Sequence, residues 1–467
     1  MGKGAQAPYP STLPAYAFPS NNRTFMADTH RRLAVRSNVA RLLFLLSCSA
    51  FLFAGCGQEP GAAVVIEFWA MGREGEVVQE LLPAFERRHP DIRVRVQQIP
   101  WSAAHEKLLT AYAGGAMPDL FQLGNTWIPE FVALGALEPL NDRAARSANV
   151  QTDDYFPGIL ATNALDGVLY GIPWYVDTRL LFYRSDILAR AGYREPPRTW
   201  DAWLDAMQRI KALEGTGRYA ILLPIDEWEL PAILALQLGA GLLRDNDRYG
   251  DFQSPAFRRA FAFYLELFRQ RLAPAVGATQ VANLYQEFAN GYFALYLSGP
   301  WNIGEFNRRL PPAVQEQWST APMPAPAADR FPGVSLAGGA SLALHRASRH
   351  KEAAWKLIEY LSEPERQAEF YRLTGDLPAC KTAWQAAALS EQPPTQAFWL
   401  QLQAVQATPQ IPEWERIASK IAQYAERVIR GELATDTALA ALDRDVDAML
   451  EKRRWLLRRA ANEPAEH

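Results

Sequence analysis

The chain has 467 residues, of which 49% are hydrophobic and 21% are charged, a composition typical of a globular protein large enough for two lobes. Its formal net charge is −3, and residues 1–55 carry six Lys or Arg against one Asp, so their removal changes the net charge to −8. This mildly acidic balance argues against a nucleic acid as partner.

A short apolar run, residues 42–55, follows four arginines and directly precedes Cys56. Basic, then apolar, then small residues is the order of a secretory signal peptide, and the run is too short for a comfortable membrane-spanning helix. Residues 53–56, Phe-Ala-Gly-Cys, resemble the lipobox of bacterial lipoproteins, although Phe stands where Leu is usual. This resemblance implies an N-terminal extension and signal peptide over 1–55, lipidation of Cys56, a tether over 56–63, and a membrane-anchored protein in the periplasm or at the cell surface.

Alternatives for the N-terminal segment stay open at this point. An ordinary signal peptide with an incidental cysteine, or a short transmembrane anchor, also fits the apolar run. Met26 begins a basic segment of normal length, so a start at Met26 instead of Met1 is a hypothesis. With Cys48 in the signal segment and Cys56 lipidated, Cys380 is left alone, and no intrachain disulfide is predicted in the mature chain.

The elements after the tether alternate between strand and helix. Residues 64–69 are predicted as a buried strand, 76–88 as an amphipathic helix and 92–97 as an alternating strand. This order implies a right-handed crossover and a parallel pair of strands. Ser102 is expected to cap a second helix, and residues 120–123 are expected to form a further strand.

The same alternation returns after residue 171. Strands are predicted at 180–183, 219–223 and 293–297, and helices at 199–213 and 254–271, capped by Thr199 and Ser254 respectively. From residue 364 the chain is predicted to be mostly helical, and the basic residues 453–459 are interpreted as a solvated helix end. The pattern indicates an α/β protein with two lobes.

Sequence signatures of enzymes are absent from the chain. The six histidines lack metal-ligand spacing, and there is no P-loop, dinucleotide fingerprint or nucleophile elbow. No cofactor and no metal site is therefore predicted. A pair of carboxylates for glycoside hydrolysis is defined by its separation in space, which the sequence does not reveal, so a surface glycoside-active enzyme stays open as an alternative.

Two stretches carry the strongest functional signal, residues 171–188 (GIPWYVDTRLLFYRSDIL) and 294–303 (ALYLSGPWNI). Both resemble signatures of the extracellular solute-binding proteins that serve carbohydrate ABC importers, in the maltose- and trehalose-binding cluster. The opening strand at 67–69, the Gly-Gly-Ala-Ser segment at 338–341 and the loop at 371–378 fit the same pattern. The resemblance covers about residues 64–380, and the five motifs stand in the expected order.

This resemblance implies a type II periplasmic-binding-protein fold of the α/β class, with two discontinuous lobes and a ligand cleft between them. Lobe 1 is expected to comprise residues 61–172 plus 318–362, and lobe 2 residues 173–317 plus 363–460. The implied partners are an oligosaccharide, two membrane-spanning permease subunits and their cytoplasmic ATPase. The protein is expected to be a monomer.

Sugar recognition needs flat aromatic rings for the C–H faces of the ligand and carboxylates or amides for its hydroxyls. Such groups are expected at the carboxyl ends of strands, where open α/β sheets bind ligands. Tyr175 and Asp177 lie on one side of an extended segment by their spacing of two, as a platform beside an acceptor. The predicted sugar-binding residues are Glu74, Asn125, Tyr175, Asp177, Trp228, Trp301, Gly339 and Asp376.

Structural roles compete with binding at several of these positions. Glu74 also suits a helix N-terminus, Trp228 a hydrophobic core and Gly339 a plain turn. Asn125 stands where many relatives place Asp, which leaves the identity of the sugar open. The predicted function is capture of a maltose- or trehalose-like α-glucoside for an ABC importer, and a binding protein for a non-sugar solute such as glycerol phosphate is a further alternative.

The lipobox resemblance generates a first prediction. Cys56→Ser removes the thiol that would carry the lipid, so the protein should move from the detergent-rich phase to the aqueous phase in a detergent partition experiment. Because the anchor and the cleft are separate devices, ligand affinity of the folded domain should stay unchanged. Equal partition of the variant and the wild type would contradict lipidation at Cys56.

Overall fold

Two β-sheets organise the chain in the computed structural model, which describes residues 63–462. The predicted signal peptide, Cys56 and nearly all of the tether lie outside the described residues. Residues 63–462 belong to one compact unit. The strands, in chain order, are β1 (Val64–Met71), β2 (Ile92–Ile99), β3 (Leu120–Gly124), β4 (Ala164–Leu165), β5 (Val168–Leu169), β6 (Ile172–Asp177), β7 (Leu180–Arg184), β8 (Tyr219–Leu222), β9 (Leu243–Arg244), β10 (Tyr249–Gly250), β11 (Phe293–Ser298), β12 (Trp318–Ala321), β13 (Ser335–Leu336), β14 (Gly338–Leu344), β15 (Leu377–Pro378) and β16 (Val405–Gln406).

The first sheet has six strands in the order β15-β6-β14-β3-β1-β2. Strand β1 pairs in parallel with β2, with Val64 opposite Ile92, and also in parallel with β3. The predicted parallel pair is therefore confirmed. Strand β14 is antiparallel to both β3 and β6, so a late segment of the chain completes the centre of the sheet.

The second sheet has four strands in the order β12-β7-β11-β8. Strand β11 is parallel to β8 and antiparallel to β7. All six residues of β11 are buried, which agrees with the continuous apolar character expected of a strand covered on both faces. The two sheets are the centres of the two lobes.

Sheet membership differs from the predicted lobe bounds at three places. Strand β6 belongs to the first sheet although residue 173 was expected to open lobe 2, and β12 belongs to the second sheet although residue 318 was expected to reopen lobe 1. Strand β15, expected in lobe 2, also joins the first sheet through β6. Each of these strands finds its partners far away in sequence, so local patterns at Pro173 and Trp318 do not reveal the crossing points.

Helices cover both sheets. Among residues 63–462, none of them combines the length and the apolar character that a membrane crossing requires. Their bounds are Gly72–Arg88, Trp101–Ala113, Ile128–Ala133, Asn141–Arg146, Pro157–Ala161, Ser185–Arg190, Trp200–Glu214, Glu229–Gln237, Pro255–Arg269, Leu284–Ala289, Trp301–Arg309, Lys351–Leu361, Pro364–Thr374, Lys381–Ala386, Thr395–Gln401, Trp414–Ile429, Thr435–Met449 and Glu451–Asn462.

Two of the predicted helix caps are confirmed. The Thr199 side chain accepts a hydrogen bond from Ala202 N, and the Ser254 side chain accepts one from Phe257 N. The expected cap at Ser102 is wrong, because the helix already begins at Trp101 and its first turn contains Ser102. The preceding residue is a proline, which has no side-chain acceptor to offer the helix amides.

Gly339 allows the central pairing of the first sheet. Its φ of +139° lies in a region that side-chain-bearing residues rarely adopt, and a Cβ there would overlap the carbonyl oxygen of Tyr175 on the neighbouring strand β6. The glycine is therefore required by the backbone geometry of the β6–β14 pair and not by a plain turn.

We expect Gly339→Ala to destabilise the protein strongly. The unfavourable φ alone costs about 1–3 kcal/mol, and the overlap with Tyr175 adds to this cost. Gly135→Ala is the matched control, because Gly135 also has a positive φ (+72°) but no atom lies within 4 Å of its Cβ position. Urea unfolding should show a clearly larger loss for Gly339→Ala. Equal losses in the two variants would show that the overlap is relieved without cost.

Candidate functional site

All eight predicted sugar-binding residues line one cavity of about 660 Å³. Its size lies within the range of small-molecule sites, roughly 300–1,000 Å³. The wall draws on both lobes, since it includes the carboxyl ends of β3 and β6 and the start of the helix Trp301–Arg309. The predicted residues on the wall are Glu74, Asn125, Tyr175, Asp177, Trp228, Trp301, Gly339 and Asp376.

A chain of hydrogen bonds holds Glu74 in place on the lobe 1 side. The Tyr175 hydroxyl donates to Glu74 Oε1 (2.8 Å), and Gln122 Nε2 donates to the Tyr175 hydroxyl oxygen (2.9 Å). Gln122 Oε1 in turn accepts from Met71 N (2.7 Å). Tyr175 is only 6% exposed and its ring stacks on Phe370, so it supports Glu74 and does not form the open platform expected from its spacing.

Asp177 presents an acceptor that no described group satisfies. Its Oδ1 atom is buried and has no hydrogen-bond donor among residues 63–462. A Cβ at Gly299 would lie 2.5 Å from this atom and would overlap the ring of Trp301, so the missing side chain lets the two groups meet. Burial raises the pKa of Asp177, an effect that the nearby Arg179 charge opposes. An unpaired buried acceptor of this kind suits a ligand hydroxyl.

Arg179 links the acidic and aromatic parts of the wall. Its Nη2 donates to Glu229 Oε1 (2.7 Å), and its guanidinium carbon lies 4.6 Å from the centroid of the Trp301 ring. The cation therefore covers part of one face of Trp301 and fixes the orientation of the indole. The neighbouring charges of Asp177 and Glu229 raise the pKa of Arg179 despite its burial, so it stays protonated.

Glu74 and Asp376 form a buried acidic pair. They are 8% and 4% exposed. Burial is the largest cause of the raised pKa at each, and the charge of Glu74 raises the pKa of Asp376 further. Arg73 opposes both shifts, although its own guanidinium donates to the carbonyl oxygen of Leu373 (3.0 Å). Donors brought by a ligand would stabilise the ionised pair.

Asn125 and Trp228 make contacts with other protein side chains in addition to lining the cavity. Asn125 Nδ2 donates to Thr162 Oγ1 (2.9 Å) and its Oδ1 accepts from Ser341 Oγ (2.8 Å), so the side chain ties the end of β3 to β14. Trp228 meets Trp414 edge to face, with centroids 5.3 Å apart. Both residues still contribute surface to the cavity.

Several wall residues escaped the sequence reasoning. Trp101 donates from Nε1 to Glu74 Oε1 (3.3 Å), and its place just after β2 is the same strand-end signal that identified other residues. Four others stand on helices with no distinguishing pattern: Tyr285, Glu305, Arg309 and Glu415. No cluster of three or more His, Cys, Asp or Glu side chains between residues 63 and 462 is arranged to hold a metal ion.

The sequence model of the family described as bacterial extracellular solute-binding protein matches residues 70–368, more than half of the chain. The chain belongs to this family. The solved structure of the sugar-binding protein MalE from Xanthomonas citri is 50% identical, with a TM-score of 0.80, and the match covers 86% of this chain and 100% of that one. This similarity agrees with the two-lobed periplasmic-binding-protein fold.

Curated relatives of this solute-binding protein include two proteins named for sugars. The diacetylchitobiose-binding protein DasA of Streptomyces coelicolor is 26% identical over 351 residues, which is 74% of this chain and 80% of DasA. The galactooligosaccharide-binding protein of Bacillus subtilis is 23% identical over 426 residues, 87% of this chain and 96% of that protein. The protein is thus a sugar-binding component of an ABC importer that works outside the cytoplasm, and it is not an enzyme.

The raised pKa of Asp376 predicts how the stability of the sugar-free protein depends on pH. The folded state holds the Asp376 proton to a higher pH than the unfolded chain does, so the free energy of unfolding falls as pH rises through the folded pKa. Asp376→Asn removes this penalty. The variant should melt a few degrees above the wild type at about pH 8, and the gap should narrow towards about pH 4, near the ordinary pKa of Asp.

Thermal melts without sugar across this pH range measure the effect. Asp329→Asn is the matched control for the substitution itself, because Asp329 is exposed and does not line the cavity. If the difference in melting temperature between Asp376→Asn and the wild type were the same at every pH, the raised pKa of Asp376 would be contradicted.

Proposed function

We propose that the protein captures a maltose- or trehalose-like α-glucoside and delivers it to the permease of an ABC importer. The observation that carries this proposal is the unpaired Asp177 carboxylate beside the Trp301 ring, inside a cavity of about 660 Å³. The 50% identity to the sugar-binding protein MalE supports it. Two relatives are named for other sugars, so the choice of an α-glucoside is tested below with maltose and trehalose.

Each wall group has a role in this proposal. Carboxylates at Glu74, Asp177 and Asp376 accept hydrogen bonds from sugar hydroxyls, and at Glu74 these add to the bonds donated by Tyr175 and Trp101. Trp301 and Trp228 offer flat surfaces to the weakly polar C–H faces of the ligand. Tyr175 holds Glu74 in its orientation. Asn125 and Gly339 shape the wall where β3, β6 and β14 meet.

Lobe closure accompanies binding in this proposal. Strand β6 ends at Asp177 and β7 begins at Leu180, so Thr178 and Arg179 alone connect the two sheets at this crossing. A ligand held by Asp177 acts directly on the connecting segment, which favours closure by rotation about it. We propose further that the mature protein is a monomer held at the membrane by lipid on Cys56.

Loss of the aromatic surface or of the acceptor should weaken sugar binding. Trp301→Ala removes the stacking surface, and Asp177→Ala removes a charged acceptor worth about 1.5–3 kcal/mol, or about 10–100-fold in affinity. Isothermal titration calorimetry with maltose and trehalose measures the change. A rise in melting temperature with sugar, which a tight ligand produces by mass action, gives a second readout.

Trp455→Ala is the matched control, because Trp455 is 53% exposed on the last helix and does not line the cavity. Its affinity for sugar should equal that of the wild type. Near-wild-type affinity in both site variants would refute the proposed site. Absence of binding to any mono- or oligosaccharide would overturn the proposed ligand class, and turnover of the sugar would show catalysis instead of transport.

A further inference from the structure

The last described helix, Glu451–Asn462, is held to the protein by one face. Arg453 and Arg454 donate hydrogen bonds to two backbone carbonyls of the 243–250 hairpin, at 3.1 and 2.9 Å. The guanidinium of Arg454 also lies over the ring of Tyr249, 4.6 Å from its centroid. These contacts hold the inner face of the helix against the hairpin. The opposite, outer face therefore points away from the hairpin.

The outer face combines exposed apolar side chains with cations. Lys452, Trp455, Leu456 and Arg459 stand at helical positions i, i+3, i+4 and i+7, so they share one side of the helix. Trp455 is 53% exposed, the highest value of any large hydrophobic side chain in residues 63–462, and Leu456 is 47% exposed. The guanidinium of Arg459 lies 5.7 Å from the Trp455 ring centroid.

The charge of this helix runs against that of the rest of the chain. Residues 451–459 contain five Lys or Arg and one Glu, a net charge of +4, whereas the chain after residue 55 carries −8 in total. Such a local concentration of cations on an acidic protein favours an anionic partner. The adjacent Trp455 and Leu456 are apolar, so the partner must also offer an apolar surface.

We propose that this outer face docks on the surface of a bilayer that contains anionic phospholipid. Trp and Leu side chains insert at the boundary between headgroups and acyl chains, while Lys and Arg reach the lipid phosphates. An acidic protein would match the charge of Lys452 and Arg459 but would offer no apolar surface to Trp455 and Leu456. The proposal goes beyond sugar capture and does not depend on the identity of the sugar.

Vesicle flotation tests the proposal on the chain that begins at residue 56 with Cys56→Ser, so that neither lipid nor the signal segment contributes. This chain keeps the whole described unit, which comprises both sheets and their cores. It should float with vesicles of equal parts phosphatidylglycerol and phosphatidylcholine, and should stay unbound with pure phosphatidylcholine. Raising NaCl from about 50 to about 500 mM should release it.

Two double variants separate the two contributions. Lys452→Gln with Arg459→Gln should lower partition into anionic vesicles by about tenfold or more, because each cation near such a surface contributes measurably. Trp455→Ala with Leu456→Ala should lower it as well, through loss of insertion. The matched controls are Arg346→Gln with Arg349→Gln, two exposed cations elsewhere, and Leu400→Ala, whose side chain is also 47% exposed.

Absence of flotation with anionic vesicles, or equal losses in the control variants, would overturn the proposal. If the Trp455→Ala with Leu456→Ala variant still bound soluble polyglutamate as the wild type does, the face would be assigned to an acidic protein instead. Sugar-induced melting shifts of all variants should match the wild type, so a failure here is distinct from a failure of the sugar site.

Discussion

Carboxyl groups buried in the cavity are the constraint on which the rest of the site depends. Glu74 and Asp376 are nearly inaccessible to water, and Asp177 keeps an oxygen without a donor among the described residues. Such groups are costly in a folded protein unless donors or cations compensate them. Here the compensation is partial: Tyr175 donates to Glu74, and Arg179 faces Asp177 but also pairs with Glu229. The structure therefore holds acceptors in position before the ligand arrives, at the expense of its own stability.

The same residues connect recognition to the architecture of the two lobes. Strands β6 and β14 carry Tyr175, Asp177 and Gly339 to the cavity from the centre of the first sheet. The chain then passes within two residues to β7 of the second sheet, and this short connection contributes Arg179 to the wall. Because the connecting segment is itself part of the site, a ligand that contacts Asp177 also acts on the relative position of the lobes.

The proposed recognition inside the cavity and the proposed docking at the surface use opposite chemistry. The cavity gathers carboxylates, which are proposed to accept hydrogen bonds from sugar hydroxyls, and aromatic rings, which are proposed to cover C–H faces. The last helix gathers cations around an exposed Trp and Leu, which suits an anionic lipid surface. The family works outside the cytoplasm with a membrane transporter, which agrees with both a sugar-binding cavity and a membrane-facing helix.

The sequence by itself determined the α/β class, the parallel β1–β2 pair and the caps at Thr199 and Ser254, because these depend on local periodicity and capping residues. It also indicated the eight wall residues, through strand-end motifs together with the resemblance to a family. Only the tertiary structure decided the sheet membership of β6, β12 and β15, since their partners lie far away along the chain. It alone revealed Tyr285 and Glu415 on the wall, which stand on helices without a distinguishing pattern. It also showed that Tyr175 supports Glu74 and does not form an open platform, because Phe370 covers its ring. The spacing of residues along a strand does not show which side chain will cover a ring.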